Sequence, residues 1–198
     1  MSDEQIFRAV LIGVLGVILP IGIYYRLQSQ ATREKLDRRQ EGLFILATLR
    51  PLGAVFSLAA IAWMVDPGWM RWSAMSLPLW VRWTGVAVIV AACGLLVWTF
   101  RSLGTNLTDT VVTRQNHTLV SDGPYRWIRH PFYASAALIM LAIVLITANW
   151  FFLATGVLVF SLLVIRTRTE EEHLVARFGE SYRTYMKRTG RFVPRIGP

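Results

Sequence analysis

Apolar residues arrive along this chain in long runs, not at the short intervals of a half-buried strand or an amphipathic helix. The first run covers residues 7–25, the second 42–64 with Arg50 and Pro51 inside it, and the third 79–100 with Arg82 near its start. Each is long enough to cross a bilayer as a helix, for which about 20 residues suffice. Two further runs, 132–148 and 150–165, are at the short end for spanning and are separated by little more than Asn149. They predict a tight helical hairpin that barely reaches the far interface. The first run follows the acidic Asp3 and Glu4 and precedes no small-residue cleavage pattern, so a retained helix is expected, not a signal peptide.

Composition strengthens this picture. The 198 residues are 54% hydrophobic and 17% charged, and the mean hydropathy is +0.44; these values describe an integral membrane protein. The single cysteine, Cys93, lies in an apolar run, which removes any intrachain disulfide or cysteine-rich metal site and leaves packing as its role. The net charge of +9 does not imply nucleic acid, because the basic residues flank apolar runs instead of forming one stripe. Membrane orientation and anionic lipid account for them better.

The loops set the orientation. Residues 26–41 carry Arg26, Arg33, Lys35, Arg38 and Arg39, the 65–78 linker only Arg71, and residues 101–131 again four arginines. The Asn149 turn is uncharged, and the chain after residue 165 is strongly basic. Five spans with the N-terminus outside and the C-terminus in the cytoplasm satisfy every loop. Trp63, Trp69, Trp72, Trp80, Trp83 and Trp150 then gather near the outer interface, and Trp98 and Trp127 near the inner one, as anchors. Residues 166–186 favour a cytosolic helix, or two, broken near Gly179. The expected fold class is therefore all-α and polytopic, with three N-terminal transmembrane helices in residues 1–100 and the loop, hairpin and C-terminal helix in 101–198. No GxGxxG or GxxxxGK[ST] pattern is present, so a Rossmann domain is not expected.

Candidate chemistry concentrates where the hairpin begins, in GPYRWIRHPFY, residues 123–133. Charged and hydrogen-bonding groups are costly beside hydrocarbon, so a dense cluster there marks a functional site. His130 before Pro131 makes a fixed corner in front of a helix. With Tyr125, Arg126, Arg129 and Tyr133 it offers donors, an aromatic face for a cation and free amides at a helix start. Arg166 and Glu170 are four apart, so they share a helix face at the same boundary. An ordinary surface ion pair is one reading; the other is an arginine fork for a carboxylate beside a glutamate that accepts from ribose hydroxyls or an ammonium group. Arg50, roughly 12 Å inside the second span at 1.5 Å per residue, is either a snorkelling side chain or part of a cavity facing the cluster. The histidines, His117, His130 and His173, lack paired ligand spacing, so no metal is expected.

The order HTLV, GPYRWIRHPFY, hairpin, RTRTEEEHL, RFGESYRTY and GRFVP resembles the C-terminal half of the isoprenylcysteine carboxyl methyltransferases over residues 116–194. The resemblance implies an intramembrane methyltransferase that uses S-adenosyl-L-methionine and releases S-adenosyl-L-homocysteine. Carried onto this chain, His117, Thr118, Leu119 and Val120 would line the cofactor, and Tyr125, His130, Pro131, Phe132 and Tyr133 would enclose it. Glu170 would complete the site, with Glu171 as the alternative register in the acidic run, and Arg166 would face the methyl acceptor; Arg50 is a candidate helper from the second span and not part of the resemblance. One departure is Ala134, where many members carry glycine.

The function so implied is methyl transfer to the carboxylate of an isoprenylated cysteine or similar lipophilic acid, which enters from the bilayer while the cofactor enters from the cytoplasm. A carboxylate is already ionised at neutral pH and needs no general base. The alternatives are a phospholipid N-methyltransferase, sharing the RHPxY cluster, and a non-enzymatic lipid-binding membrane protein. The small-residue content of the spans is too ordinary to assign an oligomeric state.

Overall fold

The computed structural model describes residues 2–30, 43–104 and 119–195. Among the described residues six α-helices follow in order: α1 Asp3–Gln30, α2 Leu43–Val65, α3 Leu79–Leu103, α4 Pro131–Thr147, α5 Trp150–Phe178 and α6 Glu180–Arg188. Short 3-10 turns at Pro67–Ser73 and Gly123–Arg126 lie before α3 and α4. The chain forms an integral multi-pass membrane protein. Four helices, α1, α2, α3 and α5, are long and apolar enough to cross a membrane, and α4 is a shorter apolar helix.

The expected hairpin is present. Ala148 adopts the left-handed conformation at φ 47°, and the Asn149 side chain caps α5 by accepting from the Phe151 amide at 3.0 Å. Asn149 Nδ2 also donates to Met70 O at 3.1 Å, and the Met75 amide to Ala148 O at 2.7 Å. The turn is thus tied to the linker before α3. Beyond the expected fifth span, α5 does not stop at the membrane edge. It runs as one helix of 29 residues, about 43 Å at 1.5 Å per residue. Residues 166–178 are therefore the rigid continuation of that span, and the break falls at Gly179, φ 56°.

The four long helices and the shorter α4 close into a ring: α3 packs on α4, α4 on α5, α5 on α2, α2 on α1, and α1 on α3. At Gly85 of α3 an added Cβ would sit 2.8 Å from Leu145 Cβ and 2.9 Å from Ile146 Cγ1, so glycine permits the close α3–α4 approach. Between lipid-facing helices such tight packing, not exclusion of water, supplies the attraction.

The buried apolar core, including Phe7, Phe56, Trp63, Ile89, Ile146 and Phe152, occupies the end of the ring near the Asn149 turn. Trp63 was expected at the interface but is 2% exposed and belongs to this core; the other tryptophans of this end, Trp69, Trp72, Trp80, Trp83 and Trp150, are exposed. Two arginines complete the closed end. Arg82 Nε donates to Ile146 O at 2.9 Å, its Nη1 pairs with Glu4 at 2.7 Å, and its guanidinium lies 4.2 Å over the Phe7 ring. Arg8 Nε donates to Met64 O. Neither α2 nor α4 has a basic residue in its last turn, so these side chains satisfy carbonyls that a helix C-terminus leaves open.

Candidate active site

The opposite end of the ring carries the candidate site. Pro131 is the first residue of α4 and His130 its N-cap. The preceding 3-10 turn starts at Gly123, φ 59°, where an added Cβ would lie 2.1 Å from Ser102 Oγ on α3. Glycine therefore lets the loop rest on the end of α3, where Trp98 and Trp127 meet edge to face at 5.6 Å.

Two adjacent glutamates on α5 divide the site. Glu170 Oε2 accepts from the Tyr133 hydroxyl at 2.8 Å. Burial pushes the Tyr125 phenol well above its ordinary range, and the neighbouring Glu170 carboxylate raises it further; Tyr125, Tyr133 and Glu170 therefore form one group. Glu171 points elsewhere. Its Oε1 accepts from Arg129 Nε at 2.8 Å and lies 3.3 Å from His130 Nε2, and its Oε2 accepts from Arg191 Nη2. Only 4% exposed, Glu171 is spent on three cationic or imidazole partners. Neighbouring residues on a helix face about 100° apart, so the two carboxylates cannot share a role.

Arg129 is spent as well. Its Nη1 donates to Met186 O at 3.2 Å and to Thr189 O, which satisfies carbonyls at the end of α6. Sequence reasoning counted Arg129 as a donor facing a ligand; the structure turns it inward, because a buried carboxylate and open helix-end carbonyls both demand a cation.

Sequence reasoning also missed the C-terminal strap. The Arg129 amide donates to Gly190 O at 2.9 Å, His130 N to Arg191 O at 3.0 Å, and Gly190 N to Trp127 O at 3.0 Å, in a parallel bridge between Ile128 and Gly190. Gly190 is required: an added Cβ would lie 1.8 Å from Val193 O. The strap places Phe192 against His130 at 5.9 Å and against Phe160 of α5 at 5.7 Å, while Tyr133 stacks on His130 at 5.5 Å and 15°. The only trace of this in the sequence was the GRFVP motif, noted through the resemblance alone.

Of the expected site residues, the structure brings Tyr125, His130, Tyr133 and Glu170 together. Pro131 is fully buried and sets the corner. Phe132 rests on Phe100 at 6.1 Å and is 41% exposed. Arg166 is half-buried one turn before Glu170 on the same α5 face. Arg50 is exposed on α2, the helix that packs on α5. Leu119 and Val120 are half-buried ahead of the 3-10 turn, and His117 and Thr118 lie outside the described residues.

The residues present fit a sulfonium-bearing cofactor. Aromatic faces and a carboxylate suit a cation. Among the described residues, no group of three or more His, Cys, Asp or Glu is placed to hold a metal.

Residues 80–181, just over half of the chain and containing Tyr125, His130, Tyr133, Arg166 and Glu170, match the family model described as phospholipid methyltransferase. The chain belongs to the phospholipid methyltransferase family. Within and around that family, it is 35% identical over 100 residues to the protein-S-isoprenylcysteine O-methyltransferase of Schizosaccharomyces pombe, covering 47% of this chain and 41% of the relative. It is 32% identical over 119 residues to the cobalt-zinc-cadmium resistance protein CzcN of Cupriavidus metallidurans, covering 58% and 55%. The chain thus spans about half the length of the curated relatives it matches. A solved structure of the eukaryotic intramembrane Ras methyltransferase ICMT superposes with a TM-score of 0.61 at 18% identity, over 99% of this chain and 69% of that one. That likeness shows the fold, and the expected resemblance to isoprenylcysteine carboxyl methyltransferases reappears in these relatives of a phospholipid methyltransferase family member.

Proposed function

We propose that this chain is an S-adenosylmethionine-dependent membrane methyltransferase that esterifies the carboxylate of a lipophilic, isoprenylcysteine-like acid. The observation that carries the reading is the convergence of the α4 corner and the α5 extension, with Tyr133 bonded to Glu170 at 2.8 Å and Arg166 one turn away. The isoprenylcysteine methyltransferase relative and the Ras methyltransferase fold support it.

In this reading Tyr125, Tyr133 and Glu170 would hold S-adenosylmethionine, and Leu119 and Val120, with His117 and Thr118 that lie outside the described residues, would line it. The cofactor, when bound, supplies an electrophilic methyl group. Arg166 orients the acceptor carboxylate through its fork of donors, and Arg50 approaches from α2. Because the carboxylate needs no deprotonation, the residues act by alignment and by excluding water. His130 keeps its place through Glu171, Tyr133 and Phe192, and holds the corner on which Tyr133 stands. The site faces the cytoplasm, with the N-terminus on the outer side, as the arginine-rich loops favour.

The family description favours a second reading, N-methylation of a phospholipid amine. The product separates the two: base releases methanol from a carboxyl methyl ester and leaves an N-methyl group intact. Titration of S-adenosylhomocysteine into detergent-purified protein tests the shared premise. Saturable binding that is weakened by Glu170→Ala is expected, and absence of binding by the unmutated chain overturns both readings.

A further inference from the structure

Beside the cradle, sharing Leu119 with it but lined by none of Tyr125, His130, Tyr133 or Glu170, lies a cavity of about 710 Å³ between the 3-10 turn and α6. Arg126 enters it from the turn, and Ser181, Thr184 and Arg188 from one stripe of α6; positions three, four and seven apart share a helix face. Ser121 adds a third hydroxyl. Among the described residues, neither Arg126 nor Arg188 makes an ion pair or a hydrogen bond. The single carboxylate of the lining, Glu180, sits 3.5 Å from Arg183, so the cavity carries excess positive charge. Arg126 directly precedes Trp127, which is 47% exposed and paired with the 44% exposed Trp98. Exposed indoles of this kind mark headgroup depth.

We propose that this cavity binds the phosphate of an anionic phospholipid headgroup from the adjoining leaflet. Two guanidiniums at a wet interface take a phosphate through paired, charge-assisted bonds, and hydroxyls complete its acceptors. The walls shared with the cradle are Leu119 and Tyr185, and the Tyr185 hydroxyl donates to Tyr125 O at 2.7 Å. A headgroup held there braces the turn that presents Tyr125.

The test is thermal unfolding of the full chain in uncharged detergent with dihexanoylphosphatidylglycerol, dihexanoylphosphatidylcholine or inorganic phosphate, each with and without saturating S-adenosylhomocysteine. Ligand that binds only the folded chain raises Tm in a saturable way. The expected result is a saturable rise with the glycerol lipid, at least tenfold weaker in Arg126→Gln/Arg188→Gln and unchanged in Arg183→Gln. An equal response in the double variant, or no response in the unmutated chain, overturns the site. An equal response to the choline lipid overturns its anionic selectivity, and an equal response to inorganic phosphate overturns a lipid as occupant. Loss of the response under S-adenosylhomocysteine assigns the cavity to the cofactor and overturns the proposal. Failure of S-adenosylhomocysteine to bind bears on the methyltransferase reading alone.

Discussion

The hydroxyl of Tyr133 donates to the carboxylate of Glu170 across 37 residues of sequence, at 2.8 Å. That bond joins the first turn of α4 to the part of α5 that leaves the membrane, and it aims Glu170 rather than Glu171 at the aromatic group. Replacement of Glu170 by glutamine keeps the bond and removes the charge. A charge-assisted hydrogen bond contributes about 1.5–3 kcal/mol, so Glu170→Gln is expected to weaken S-adenosylmethionine binding about tenfold or more, with little change in Tm. Calorimetric titration measures it, and unchanged affinity would remove Glu170 from the cofactor site.

Glu171 behaves oppositely. Its loss strands Arg129 in a buried position, and breaking such a network costs about 3–5 kcal/mol. Glu171→Ala is expected to lower Tm sharply and to loosen the strap, detected as faster proteolysis after Lys187. Should Tm hold while cofactor affinity collapses, the assignments of the two glutamates are exchanged.

Gly190→Ala addresses the strap alone. The new methyl would meet a backbone carbonyl at 1.8 Å, an overlap that no side-chain rotation relieves, so destabilisation of about 1–3 kcal/mol is expected. Gly13→Ala, with nothing within 4 Å, is expected to be neutral. Equal Tm values for the two variants would show that the strap does not brace the folded chain.

Alkaline pH provides a further check. Burial pushes the Tyr185 phenol up to about 12. A group raised above its unfolded value of about 10 contributes stability that is complete below pH 10 and is lost as pH rises toward 12. Tm is expected to fall between pH 10 and 12, less steeply in Tyr185→Phe. An identical slope in the variant would exclude Tyr185 as the responsible group.

Much of the architecture was legible in the sequence, for reasons visible in particular residues. Long apolar runs have few alternatives to membrane helices, because backbone polar groups in hydrocarbon must bond within the segment. Asn149 between two such runs has the chemistry of a cap, and His130-Pro131 that of a helix start. The site was legible only in part. Arg129 and Arg126 look alike in GPYRWIRHPFY, yet one is sealed against Glu171 and the end of α6 while the other faces an open cavity. The strap residues Gly190, Arg191 and Phe192 carry no periodic pattern at all, since their partners lie on other elements.

The sequence by itself determined the helices, the hairpin and the polar cluster at its base, because hydropathy, proline and capping act over a few neighbouring residues. Only the tertiary structure decided which glutamate binds Arg129, His130 and Arg191 and which binds Tyr133. Adjacent positions on α5 point to different neighbours, and those neighbours are supplied by α4 on one side and by the returning C-terminal strap on the other.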